Sequence, residues 1–167
     1  DLAAGSTVTI TGLTGSQTAD SSLTVTSTGD LLGTSGTWTR TPGTLVLTAG
    51  GVGTESGTGC EVTFELTNPI LAQESPLAVS VSAEIKDGSV SVGSIASAAM
   101  TKPGTDLYGV TDGADPLLVV VPIFGVKSIQ QSTPGSGATN KLTVSLTANF
   151  DLAAGSTVTI TGLTGSQ

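Results

Sequence analysis

Three aspartates that stand close together are the side chains in this sequence best suited to hold a metal ion. Asp106, Asp112 and Asp115 lie in a turn-rich stretch that also offers backbone carbonyls. Carboxylates combined with backbone carbonyls are the ligands that Ca²⁺ requires. The spacing does not follow an EF-hand loop, and Asp before Gly or Pro also favours a tight bend. A calcium site and a plain polar turn are therefore both open.

The single cysteine, Cys60, is the other reactive side chain. One thiol cannot form a disulfide within the chain, and an odd cysteine in a secreted protein suggests a bridge between molecules or a free thiol. An intermolecular disulfide and a buried, inert thiol are both consistent with the sequence.

Catalysis is not expected, because the sequence contains no histidine. Histidine is the commonest general base and metal ligand. Glu61 and Glu65 alternate with Thr63 on one side of a predicted strand, which indicates a solvated surface. No cofactor other than Ca²⁺ is suggested.

Charge and hydrophobicity narrow the partners and the location. The formal net charge is −8, so nucleic acid and anionic membrane surfaces are not expected partners. The longest apolar run, Leu117 to Val121, is far shorter than the ~20 residues that a membrane-spanning helix needs. The Ser/Thr-rich, Lys-poor composition favours an extracellular or cell-surface location.

Apolar and polar residues alternate along most of the chain. In Thr7 to Thr11, Val8 and Ile10 share one face and three threonines share the other, which predicts a half-buried antiparallel strand. About nine short strands separated by turns predict a β-sandwich. Further predicted features are strands at Leu23 to Val25, Glu61 to Thr67, Pro76 to Ile85 (with Leu77 inward) and Lys141 to Ala148, hairpins around Pro42-Gly43 and Asp87-Gly88, and a core position for Trp38.

Two segments depart from this alternation. Leu117 to Phe124 is continuously apolar, which predicts a strand that is buried on both faces or that crosses between sheets. Ile95 to Met100 is the only helix-like run.

The first seventeen residues recur without change at the other end of the sequence. Asp1 to Gln17 equals Asp151 to Gln167, at an offset of 150 residues. Self-similarity at the size of a whole domain predicts a tandem array of domains, of which this chain is an internal cut. A cloning artefact or a designed overlap is the other explanation.

The repeat suggests a division of the chain. Residues 1–116 are expected to form most of one sandwich, ending at the acidic turns of Asp106 to Pro116. Residues 117–167 then either complete that sandwich or open the next repeat, with Ser156 to Thr161 as a further strand.

The run from Asn140 to Gly165, with its strand, Ala-Ala-Gly turn and strand ending in Ile-Thr-Gly-Leu, resembles segments of immunoglobulin-like repeats in large surface proteins. Gly36 to Thr39, Gly43 to Thr48 and Phe64 to Pro69 are similar to later strands of such repeats. Proteins of this kind include algal surface proteins, mastigonemes of flagella and bacterial adhesins. The resemblance implies an immunoglobulin-like antiparallel sandwich with a structural or adhesive role.

Two functions follow as hypotheses. The first is a structural repeat of an extended fibre, wall, sheath or flagellar hair, whose partners are neighbouring repeats of the same protein, joined end to end or laterally. The second is an adhesin extender or ligand-binding module, stiffened by Ca²⁺ at Asp106, Asp112 and Asp115.

Overall fold

A computed structural model describes residues 1–51 and 53–165 of the chain. Nearly all regular structure in these residues is antiparallel β-sheet, which confirms the predicted all-β class. The strands are β1 (Thr7–Thr11), β2 (Ser21–Ser27), β3 (Ser35–Thr39), β4 (Thr44–Thr48), β5 (Val62–Phe64), β6 (Ser80–Asp87), β7 (Val90–Ala99), β8 (Phe124–Gln131) and β9 (Leu142–Ala148), with a 3₁₀ turn at Thr28–Asp30.

Seven strands form one sheet in the order β5-β2-β3-β4-β1-β6-β7. Strand β1 lies inside this sheet, between β4 and β6. Its Val8 is opposite Leu47 on one side and Ala83 on the other. Residues directly opposite each other share a face of the sheet, so the alternation in β1 directs its apolar side chains toward the core and its threonines away from it.

The core of the sheet is built around Trp38, Leu45 and Leu47, whose side chains are fully buried. The buried Trp38 confirms its predicted core position. Its indole Nε1 donates a hydrogen bond of 3.0 Å to the Thr18 carbonyl, which satisfies the one polar group that this side chain buries.

Strands β8 and β9 form a second, two-stranded sheet. Within the described residues, neither strand pairs with the seven-stranded sheet. Asn149 closes the open end of this hairpin through two hydrogen bonds to Ile123. Its side-chain Oδ1 accepts one of 2.7 Å from the Ile123 backbone amide, and its backbone amide donates one to the Ile123 carbonyl.

Two predictions about individual strands are wrong. Leu77 is fully exposed rather than inward, because β1 ends at Thr11 opposite Ser80 and residues before Ser80 have no strand beside them. From Leu117 to Ile123 only Val119 forms a bridge, with Gln73, and Phe124 begins β8. The short helix-like run, for which the sequence predicts no helix, begins at Ile95 within β7, opposite Ala83 of β6.

Candidate assembly interface

The two identical strings share the local geometry of their turns. We call Asp1 to Gln17 the first string and Asp151 to Gln167 the second string; Ser166 and Gln167 lie outside the described residues. The glycines adopt the same left-handed φ in both, 87° at Gly5 and 91° at Gly155, then 89° at Gly12 and 84° at Gly162. Two short-range hydrogen bonds also recur, Ser6 N to Ala3 O and Thr14 N to Gly12 O in the first string, Ser156 N to Ala153 O and Thr164 N to Gly162 O in the second.

The surroundings of the two strings differ completely. The first string supplies β1 and buries Leu13 to 6% exposure, whereas every described residue of the second string is exposed and its Leu163 is 56% exposed. The predicted strand at Ser156 to Thr161 is therefore absent. Its alternation is intact, but within residues 1–51 and 53–165 no strand lies beside it to complete the backbone hydrogen bonds.

The hairpin of β8 and β9 carries most of its aliphatic side chains on one face, which we call its apolar face although Lys127 and Gln131 also lie on it, opposite Leu146 and Leu142. Ile129 is opposite Val144, and Ser128 is opposite Ser145 on the other side. Ile129 is 51% exposed and Val144 is 37% exposed. An aliphatic face this open is unusual for a surface without a partner; it also includes Leu142 and Leu146.

An open cavity of about 360 Å³ lies on the apolar side of the seven-stranded sheet. Val8 and Ile10 of β1 line it, together with Phe64 of the edge strand β5. Val81 of β6 and Met100, just after β7, line it from the other side. The sheet therefore curls around this cavity, and strands near both of its edges contribute to the wall.

The apolar face of the sheet continues from this cavity to the edge strand β7. Ala83 is opposite Val8 on one side and Ile95 on the other, so the three residues share one face. Ile95 is 52% exposed and Met100 is 46% exposed. This edge of the apolar face is uncovered in the isolated chain.

Cys60 is a free thiol of intermediate exposure that lines the same cavity. Its predicted disulfide to another molecule stays a prediction. The position in the cavity wall could not be read from the sequence, because Cys60 lies outside the alternating strands.

The three aspartates all lie in the loop between β7 and β8, and the carboxylates of Asp106 and Asp115 bond to nearby groups of the protein. Asp106 accepts a 3.2 Å hydrogen bond from the Asp112 amide, and Asp115 accepts one of 2.9 Å from the Gly104 amide. Asp115 also lies 3.8 Å from the Lys102 ammonium group. Among the described residues, no group of three acidic, His or Cys side chains is arranged to hold a metal ion.

This loop joins the seven-stranded sheet to the hairpin. The ring of Tyr108 stacks on that of Phe150 with centroids 5.3 Å apart, and the Asp151 amide donates to the Tyr108 carbonyl at 2.8 Å. Gln73 exchanges two backbone hydrogen bonds with Val119. Sequence reasoning missed Gln73 and Tyr108 as junction residues, and the scarcity of aromatics was the only signal that could have drawn attention to Tyr108 and Phe150.

Comparisons of the chain with protein families, with curated proteins and with solved structures found no match. In the part of the chain that the structure describes, no helix has the length and hydrophobicity needed to cross a membrane. The class of the protein is therefore defined by its structure alone. It is an all-β protein with a curled seven-stranded antiparallel sheet and a separate β-hairpin.

Proposed function

We propose that this chain is a non-catalytic structural repeat, an immunoglobulin-like sandwich unit of a tandem array that builds an extended extracellular fibre, wall, sheath or flagellar hair. The observation that carries the proposal is the second string. It keeps the glycine conformations and local hydrogen bonds of the first string, but it has no strand beside it and exposes every described residue. A segment of this kind suits the β1 position of a following unit.

Two further observations support a role in assembly. The hairpin that precedes the second string exposes an apolar face, and the sheet that contains the first string has an uncovered apolar cavity. The absence of histidine from the sequence agrees with a role that needs no general base. The Ser/Thr-rich composition and negative charge support an extracellular location.

Force spectroscopy on chains of one, two and four periods tests the array. Each added period repeats residues 18–167, so that a second string always becomes the first string of the next unit. We expect one additional unfolding peak per period, with contour increments of about 500 Å for 150 residues. In a control, each internal string is replaced by a shuffled sequence of the same composition, which should abolish the regular peaks. Unchanged peak numbers in the longer chains would contradict the array.

The second hypothesis, an adhesin extender or ligand-binding module stiffened by Ca²⁺, also stays a proposal. Chelation of calcium should then lower the melting temperature of the full chain, and the triple variant of Asp106, Asp112 and Asp115 to Asn should remove that sensitivity. A melting temperature that does not respond to calcium or to chelator would leave the structural repeat as the better account.

A further inference from the structure

We propose that the apolar cavity of the seven-stranded sheet is filled by the β8–β9 hairpin of a second molecule of this chain, or of the preceding repeat in an array. The occupant is thus a strand pair supplied by another unit, inserted with its apolar face toward Val8, Ile10 and Val81. This placement rests on the proposed assembly of units end to end.

The position of the hairpin along the chain identifies it as the occupant. The hairpin ends at Ala148, and the second string begins at Asp151. The second string is identical to the first, whose Val8 and Ile10 line the cavity. A hairpin that directly precedes this string is therefore held next to the cavity of whichever unit takes the string as its β1.

The two surfaces have similar chemistry. The hairpin exposes Ile129, Val144 and Leu146 on one face, while the cavity wall is mainly apolar and the exposed Ile95 lies on the same face of the sheet. The other face of the hairpin carries Ser128 and Ser145, with Val126 opposite Thr147 as its one exposed aliphatic side chain. Contact between the two apolar surfaces would remove both from water, which is the dominant driving force of such association.

The free edges of the sheet also favour a strand pair over a small apolar ligand. Strands β5 and β7 end the seven-stranded sheet in the described residues, so each has one side without a strand partner. An inserted hairpin can add backbone hydrogen bonds at such an edge, as strand addition does in general. A small ligand would fill the cavity but would leave these backbone groups unpaired.

Cys60 provides a direct test because it lines the cavity and is the only cysteine in the chain. The unaltered chain is mixed with a Cys60→Ser chain that carries one new cysteine on the apolar face, Ile129→Cys, Val144→Cys or Leu146→Cys. Matched controls place the cysteine on the polar face, as Ser128→Cys, Ser145→Cys or Thr147→Cys. The fluorescence of the buried Trp38 verifies that each variant retains the folded sheet.

Under mild oxidation, we expect at least one apolar-face cysteine to form the mixed disulfide with Cys60 at least tenfold faster than every polar-face cysteine. Equal rates on both faces, or no mixed disulfide at all, would overturn the placement of the hairpin. A cavity that takes a small apolar ligand instead would give the second of these results.

A second measurement does not depend on the reach of the thiols. In sedimentation equilibrium, Val144→Asp should weaken self-association of the full chain at least tenfold, whereas Ser145→Asp should change it less than twofold. Equal effects of the two variants, or a chain that stays monomeric at all concentrations, would overturn the proposal. The two proposals can fail separately. If the multi-period chains give regular force peaks but no mixed disulfide forms, the placement of the hairpin in the cavity is rejected, whereas the proposed tandem array is not.

Discussion

The first and second strings have the same sequence but different structures. Thr7 to Thr11 is an inner strand of a seven-stranded sheet, whereas the identical residues from Thr157 to Thr161 form no strand. What both strings share is set locally, namely the left-handed glycines and the short-range hydrogen bonds. What differs is strand pairing and burial. The comparison teaches that the alternating pattern fixes which face turns inward, while a neighbouring strand decides whether a strand forms.

Because the strings are identical, each substitution in one has a matched control in the other. Trp38 is the only tryptophan and is buried in the seven-stranded sheet, so its fluorescence during urea unfolding reports the stability of that sheet. The conditions are dilute enough to keep the chain monomeric.

A charge in place of Ile10 of β1, compared with the same change at Ile160, should give the largest difference in the free energy of unfolding. Ile10 faces the core between Leu45 and Val81. We expect Ile10→Asp to lower the free energy of unfolding by about 3 kcal/mol, because apolar contact is lost and a carboxylate is brought to an apolar site. Ile160→Asp should change it by less than about 0.5 kcal/mol. Similar losses in both variants would mean that the second string also contributes to the folded sheet.

A glycine pair compares the same turn with and without a neighbouring loop packed against it. A Cβ at Gly12 would collide with the Ala78 carbonyl oxygen, whereas a Cβ at Gly162 would meet no atom within 4 Å. Both glycines have a left-handed φ. We expect Gly12→Ala to cost about 2 kcal/mol and Gly162→Ala to leave the unfolding of the sheet unchanged. A harmless Gly12→Ala would show that the loop at Ala78 is not held against the first string.

A serine pair should give the smallest difference. Ser6 is fully buried, and its hydroxyl accepts a 3.0 Å hydrogen bond from the Lys86 amide. Ser6→Ala leaves that amide without its partner, so we expect a loss of about 1 kcal/mol. Ser156 is exposed, and Ser156→Ala should have no measurable effect in the same urea titration. Equal stability of the two variants would show that the hydrogen bond between Ser6 and Lys86 does not stabilise the sheet.

The same contrast explains how far the sequence could predict the fold. Alternation predicted the positions of β1 and β9, because one face of each strand is apolar and the other polar. The inward placement predicted for Leu142, Val144 and Leu146 of β9 is wrong, since all three are exposed. It failed for Leu77 and for Ser156 to Thr161, because the pattern at these positions does not reveal whether another strand lies alongside. Continuous hydrophobicity misled at Leu117 to Phe124, where strand pairing before Phe124, the first residue of β8, is limited to the bridge between Val119 and Gln73.

The candidate interface was predictable only in part. The repeated string drew attention to the segment after the hairpin, but the cavity depends on residues far apart in sequence, such as Val8, Phe64 and Met100. The acidic loop could be recognised in the sequence as a turn-rich segment because it contains three closely spaced aspartates. Its carboxylates at Asp106 and Asp115 accept hydrogen bonds from nearby backbone amides, a local use of Asp that competes with other roles.

Amide hydrogen exchange followed by NMR in the dilute, monomeric chain tests the central claim most directly. Identical sequences have the same intrinsic exchange rates, so any difference between the strings reports structure alone. We predict that the hydrogen-bonded amides of Thr7 to Thr11 exchange at least about a thousandfold more slowly than their counterparts in Thr157 to Thr161. Equal protection in the two strings would contradict the claim that the second string lacks a strand partner.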